Sequence, residues 1–329
     1  MGSIIGITMG DPAGVGPEII IKSLTERKPD NTECSLLVIG DGVYLQEIAE
    51  KFDIPARFDL FPEFDSVSFH PDSITVFDCS RLHRQGFQPG TVHAGAGDLA
   101  YRIIVEAVSL AIDKKIAAIV TAPICKESLH LARHYYDGHT GLIAKLTDTA
   151  DYRMMFSARK LKIIHVTAHL PLAEACRTIT VDMILNTIRL GHSHMNQLGI
   201  PDPKIAVCGL NPHAGENGIF GSEDLDIILP AVAQAKSEGI SVWGPLPADT
   251  VFLQAYQGRY DLVVAQYHDQ GHTPGKLVAF DTAVNVTVGL PIVRTSVGHG
   301  TAFDIAGRGV ACHKSLDCAI DCAIRLVSR

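Results

Sequence analysis

Short apolar runs rich in isoleucine and valine, alternating with longer stretches of helical spacing, constrain this chain more than any other feature. Residues 4–9, 35–39, 73–77, 117–121, 162–167, 204–209 and 262–266 read as strands, and 17–24, 97–114, 181–198 and 223–238 as helices. Strands that are apolar on both faces and separated by helices belong in parallel βαβ units, so the expected fold is α/β. Residues 284–288 and 293–295, split by Gly289, Leu290 and Pro291, read as further strand material. The stretch 53–71 mixes Pro, Phe and Asp without a period and predicts no regular element. No internal repeat is visible.

Composition excludes several classes. With 329 residues, 47% hydrophobic and 19% charged, the chain can bury a large core. A net charge of −8 argues against a nucleic-acid surface, which needs a basic excess, while leaving room for a local pocket for one small anion. The apolar runs fall far short of the ~20 residues a bilayer helix needs, so no membrane partner is expected. The N-terminal residues show no basic region or cleavage site and do not read as a secretion signal. The eight cysteines are scattered with no C-x-x-C and read as reduced thiols in a cytoplasmic protein.

Chemistry gathers at the ends of the strands. Gly10-Asp11-Pro12-Ala13-Gly14-Val15-Gly16-Pro17-Glu18 follows the first strand. Its glycines permit a sharp turn or a close ligand approach, and Pro17 suits a first helical turn. The spacing is not G-x-G-x-x-G, so the common dinucleotide fingerprint is absent. His169, His213 and His268 each stand just past an apolar strand, where open α/β sheets bind ligands. Three neutral imidazoles there can hold a divalent cation, with positions left for substrate oxygens. Equally, each can be a plain loop residue among 15 histidines. Asp249 and Asp269 lie in similar loops, as candidate catalytic groups that orient imidazoles or as helix caps.

The small-residue stretch 298–309, with His299, Gly300, Thr301 and Asp304, suggests a backbone lying flat against a cofactor, or a tight turn. His139, Thr140, Lys276, Asn285 and Arg294 are the anion-binding types. Arg294 is the most telling of these, because its neighbours are apolar and a buried charge needs a partner.

The motifs GDPAGVGPEI (10–19), TAPICKE (121–127), GHT (138–140), HLPL (169–172), GLNPHAGE (209–216), GPLPADT (244–250), YHDQG (267–271) and HGTAFDIAGRG (299–309) together resemble the 4-hydroxythreonine-4-phosphate dehydrogenase family over essentially the whole chain. The first and last are also similar to stretches of the isocitrate and isopropylmalate dehydrogenase superfamily. The resemblance implies two α/β/α domains around a cleft and a non-Rossmann dinucleotide site. The first domain would be 1–128 plus 294–329, and the second 129–293, carrying metal ligands and dimer contacts.

By motif, the resemblance assigns His169, His213 and His268 to one divalent metal ion (Zn, Mg, Mn or Co). It assigns His139, Thr140, Lys276, Asn285 and Arg294 to the substrate and its phosphate. Gly10, Asp11, Gly14, Gly16, His299, Gly300, Thr301 and Asp304 would face NAD or NADP. It further implies a homodimer with a shared active site.

Biosynthetic members of the family read GHTE where this chain has Gly141, and carry Asp where it has Gly298. The YHDQGH and GTAFDIA segments resemble a branch acting on D-threonate or D-erythronate 4-phosphate. A more distant branch oxidises aromatic cis-dihydrodiols and shares SVGHG, but lacks the phosphate set. The implied reaction is oxidation of the C3 hydroxyl of a 4-phosphorylated four-carbon acid, then decarboxylation. Lys126 is the candidate base, on the expectation that burial and a nearby cation lower its pKa. Two readings compete: a metal-dependent hydrolase or aldolase on a phosphorylated acid without NAD, and a silent sugar-phosphate sensor. HGTAFDIAGRG argues against the first, and retention of the three histidines and Lys126 against the second.

Overall fold

A computed structural model describes residues 2–27, 34–82 and 86–328. In chain order the elements begin β1 (Ser3–Thr8), α1 (Gly16–Glu26), β2 (Cys34–Ile39), α2 (Gly42–Lys51), β3 (Phe58–Phe61), β4 (Ile74–Phe77), α3 (Ala94–Ile112), β5 (Ala118–Thr121), α4 (Lys126–Leu131) and α5 (His139–Leu146). They continue with β6 (Arg153–Ala158), β7 (Leu161–His165), α6 (Leu172–Thr178), α7 (Val181–Gln197), β8 (Ile205–Cys208), α8 (Leu229–Ser237), β9 (Val242–Leu246), α9 (Ala248–Tyr256), β10 (Leu262–Ala265), α10 (His268–Ala279) and β11 (Val284–Val288). β12 (Val293–Val297) and α11 (Lys314–Val327) close the chain.

Contacts divide these elements into two units, Met1–Ala150 with Leu290–Ser328, and Asp151–Gly289. By contacts the first division falls after α5. The reason is that α4 and α5 both pack on α3.

In the first unit the strands run β3-β4-β2-β1-β5-β12, every pair parallel. Ile5 and Ile7 of β1 are fully buried, as a central strand covered on both faces requires. Pro17 opens α1 at no hydrogen-bond cost, and the Asp41 carboxylate caps α2 by accepting the Tyr44 N–H at 3.0 Å. Buried Glu18 accepts from Lys22 Nζ and from the Ala311 N–H, both at 2.7 Å, tying α1 to the chain that follows the last glycine-rich motif.

The second unit departs from the all-parallel expectation. Its order is β11-β6-β7-β10-β8-β9, with β7, β10, β8 and β9 parallel and β6 antiparallel to both neighbours. β6 and β7 form a hairpin whose turn residue Arg159 has φ 54°, the positive value that two-residue hairpins require. Ile163, Ala206, Phe252 and Val263 anchor its core. The expected helix 223–238 forms as a continuous run whose first part is a π turn, Asp224–Ile228, leading directly into α8, where Pro230 has no N–H to donate to the preceding turn. Among the described residues no helix is long and apolar enough to cross a membrane. All eight cysteines are free thiols.

Candidate active-site groups in each unit

In the first unit the chain leaves β1 and turns at Gly10, whose φ of 75° suits glycine. A Cβ at Gly14 would stand 2.9 Å from the Thr301 Cβ, and the Val15 N–H donates to the Thr301 carbonyl at 3.0 Å. The first and last glycine-rich motifs therefore lie against each other, and Gly14 lets them do so. Gly10, Asp11, Gly14 and Gly16 are buried and spend their geometry on chain packing. Gly300 and Asp304 are exposed, while His299 and Thr301 are half-buried. His299 Nδ1 contacts the Gly300 carbonyl at 2.9 Å, and its buried Nε2 has no hydrogen-bond partner. That unsatisfied nitrogen, with open space over Gly300, fits a dinucleotide lying on this edge.

Asp11 accepts the Ala13 N–H at 2.8 Å through Oδ1. Burial pushes its carboxyl up to about 6, against the lowering effect of the Ala13 N–H, Ser128, the Cys125 N–H and His93.

Past β5 and at the start of α5 the anion-binding types gather. Gly138, at φ 126°, sets the turn into α5, so that His139 and Thr140 occupy its first two positions. His139 Nε2 is buried without a partner. Burial, then the positive charge of Arg294, hold the imidazole well below its ordinary pKa of 6.5. Arg294 on β12 is 4% exposed and donates from Nη2 to Thr121 Oγ1 at 2.7 Å; burial pushes the guanidinium down to about 10. Lys126 runs past Gly138, its Cε 3.6 Å from where a Gly138 Cβ would stand. The side chain is exposed at the first position of α4, so the burial expected to tune it as a base is missing.

In the second unit His169, His213 and His268 follow β7, β8 and β10, at the carboxyl ends of three parallel strands. His169 and His268 lie together, ring centroids 5.8 Å apart. His268 Nδ1 meets Asp269 Oδ1 at 2.7 Å, which fixes the tautomer and frees Nε2 to act as a donor to a cation. Among the described residues no group of three His, Cys, Asp or Glu side chains is gathered about a metal position.

The three-histidine set implied by resemblance is therefore not assembled in this arrangement. The reason is local. His213 opens a run of five residues, through Asn217, in left-handed conformation, and its ring packs near Phe220 at 6.0 Å. The donor chemistry of the other two, imidazoles of which one is oriented by a carboxylate, fits a divalent cation. Asp249 stands exposed in the first turn of α9, where a negative charge favours the helix. Lys276 is exposed on α10 and Asn285 half-buried on β11.

Two histidines that sequence reasoning passed over complete this picture. His165, at the end of β7, and His272, on α10, are 1% and 5% exposed and meet Nε2 to Nδ1 at 3.1 Å. Burial lowers His165 to about 4 and His272 to about 2. The signal was present in HDQGH, where two imidazoles four residues apart share one helical face.

Residues 32–323 match the family described as pyridoxal phosphate biosynthetic protein PdxA. This chain belongs to the PdxA family. A D-threonate 4-phosphate dehydrogenase of Pectobacterium atrosepticum is 46% identical over 327 residues, covering 99% of this chain and 100% of the relative. A 4-hydroxythreonine-4-phosphate dehydrogenase of Beijerinckia indica is 44% identical, covering 98% and 94%. Among solved structures, a 4-hydroxythreonine-4-phosphate dehydrogenase from Klebsiella pneumoniae superposes with a TM-score of 0.90 at 47% identity, covering 100% of this chain and 99% of that one. As a PdxA-family protein of mixed α/β fold, the chain is an NAD(P)-dependent oxidoreductase.

Proposed function

We propose that the chain oxidises the C3 hydroxyl of D-threonate or D-erythronate 4-phosphate with NAD(P) and that the resulting 3-keto acid then loses carbon dioxide. The observation that carries the phosphate is the buried Arg294 guanidinium, whose positive charge reaches the His139 ring at the start of α5, where the buried Nε2 has no hydrogen-bond partner. Support for the sugar-acid branch comes from Gly141 and Gly298, and from the D-threonate 4-phosphate dehydrogenases at 46–47% identity. In the first unit His139, Thr140 and Arg294 hold the anion by charge and hydrogen bonding. In the second, Lys276 and Asn285 are the proposed substrate contacts. Gly10, Asp11, Gly14 and Gly16 shape the turn beneath the dinucleotide, and His299, Gly300, Thr301 and Asp304 meet it. NAD(P), when bound, accepts the hydride from C3.

Lys126 takes the hydroxyl proton, and its exposed position requires the substrate to shield it. Lys126→Met is expected to lower kcat by about a hundredfold with little change in KM, the size of a lost general base. Steady-state kinetics at saturating substrate check this. A divalent cation (Zn, Mg, Mn or Co) held by His169 and His268, with His213 as third donor, supplies Lewis acidity to the substrate oxygens. Asp269 orients His268; Asp249 is the second carboxylate proposed for that role.

The deciding experiment follows nicotinamide reduction with D-threonate, D-erythronate and 4-hydroxythreonine 4-phosphates, with each cation in turn. Preference for a sugar acid supports this reading, and preference for the amino acid replaces it with the biosynthetic one.

The working form proposed is a cytoplasmic homodimer with a shared active site. Leu277 and Phe280 support it: they are 87% and 71% exposed, at and just past the end of the helix that carries His268. A monomer mass in sedimentation equilibrium would remove that part.

A further inference from the structure

The second unit holds more imidazoles around His268 than the proposed chemistry uses. His165 Nδ1 stands 3.2 Å from the Met154 carbonyl, and His165 Nε2 stands 3.1 Å from His272 Nδ1. The His272 ring then stacks on His268, centroids 4.0 Å apart and planes within 6°. Phe156 and His165 flank His272, each 4.6 Å away centroid to centroid.

Hydrogen-bond logic assigns the protons. A carbonyl oxygen only accepts, so His165 carries its proton on Nδ1 and presents a lone pair at Nε2. The N···N contact needs one proton, and His272 Nδ1–H must supply it. At the far end Asp269 accepts from His268 Nδ1–H, leaving the His268 Nε2 lone pair free. The main-chain carbonyl and the carboxylate thus fix the two ends of a three-ring array.

Ordinary core filling does not account for this array. Burying two imidazoles costs more than burying two leucines in the same space. The helix has also given up side chains to admit them. A Cβ at Gly271 would collide with His165 Nε2, and one at Gly275 would stand 2.7 Å from the Phe156 ring. Each glycine inside α10 weakens the helix by roughly 0.5–1 kcal/mol relative to alanine. The array also ends on a side chain at the carboxyl edge of β10, in the place where this sheet presents its chemistry.

We propose that His165 and His272 are positioning residues for His268: their hydrogen bond fixes the plane of His272, and the stack on that plane fixes the rotamer of His268. The proposal rests on the reading of His268 as a cation ligand. Fixing a ligand in advance removes the ordering cost that a free side chain incurs on binding.

The test uses the full chain, titrated with Zn²⁺ alone by calorimetry, with kinetics and thermal midpoints in parallel. The double variant His165→Leu/His272→Phe removes both polar groups, and its midpoint should hold or rise. Zn²⁺ affinity should nevertheless fall about tenfold to a hundredfold, as for other residues that orient a metal ligand. The loss in activity should fall on kcat more than on KM. His272→Asn, which keeps a donor near the Nδ1 position but loses the ring, should lose affinity as well; full affinity there would overturn the role of the stack. Should the double variant fail to fold, His272→Phe alone keeps the stack, breaks the hydrogen bond and is read the same way. Wild-type Zn²⁺ affinity and kcat in a folded variant, with His268→Ala losing both, overturns the positioning role alone. Wild-type behaviour in His268→Ala overturns the ligand reading, and this inference with it.

Discussion

Arg294→Met is expected to lower kcat/KM for the 4-phosphorylated acid by about a thousandfold, equivalent to roughly 4 kcal/mol, without lowering the thermal midpoint of the ligand-free protein. The two halves of this expectation have one cause. Arg294 is 4% exposed, and burial has already moved its pKa from 12.5 to about 10, so the ligand-free fold carries a cation it would rather neutralise. A phosphate dianion beside it, within reach of the buried His139 Nε2, converts that cost into affinity. Methionine fills similar volume without charge, and gives up the hydrogen bond to the Thr121 hydroxyl. Loss of activity with an unchanged or higher midpoint identifies an anion site. A fall in both would mark Arg294 as structural, and the phosphate assignment would be withdrawn.

The second expectation concerns pH, and two buried groups, His194 and Asp11, should contribute with opposite sign. His194, on α7, is 6% exposed; burial chiefly, with a smaller push from Lys162 and against the raising effect of Gln197, moves it from 6.5 to about 4. Below pH 6.5 the unfolded chain binds a proton that the folded ring refuses, so stability falls as pH drops from 6.5 towards 4. Asp11 in the first unit has moved up, from 3.8 to about 6. There the folded state holds its proton longer, so its contribution is largest below pH 3.8 and is lost as pH rises towards 6. Each shift corresponds to about 3 kcal/mol over its own window. His194→Leu should therefore gain about that much at pH 4 relative to pH 7.5, and Asp11→Asn at pH 7.5 relative to pH 4. Urea unfolding at both pH values, with one probe in each unit, reads the slopes. Parallel pH profiles for wild type and variants would show that these groups are not the source.

The central strands were legible because they are runs of β-branched residues buried on both faces; β1, β2, β5, β10 and β11 lie within a residue of expectation. The three strands not foreseen lack that signature. β3 and β9 sit at the ends of their strand orders, half-exposed, and β9 contains Gly244 and Pro245. β6 reads Arg-Met-Met-Phe-Ser-Ala, which has no β-branched residue, and its antiparallel pairing is set by a tight turn that composition does not announce. α10 was hidden by two glycines and Pro274, which read as loop until His165 and Phe156 are seen filling the space the glycines leave.

Site residues were legible as types at strand ends: His169, His213 and His268 follow β7, β8 and β10, whereas Asn285 and Arg294 lie within β11 and β12. Their mutual distances were not legible. Arg294 acts on His139 across the whole inserted length of the second unit, and the left-handed run after His213 has no sequence marker beyond Gly215 and Gly218. His165 and His272 were anonymous among 15 histidines until their hydrogen bond was seen.

The register of β12 against β5, which pairs Arg294 with Ile119 and Ser296 with Thr121, has a consequence for how the protein is made. A ribosome delivers β5 before the whole of the second unit and β12 after it. The second unit is continuous in sequence, and its entry and exit strands pair directly, Arg153 with Val288, so all the strand pairs within it can form before β12 is translated. The first unit must wait with one edge of β5 open until the C-terminal segment emerges. The part translated first is completed last, and the arginine proposed to grip the phosphate arrives with the strand that completes it.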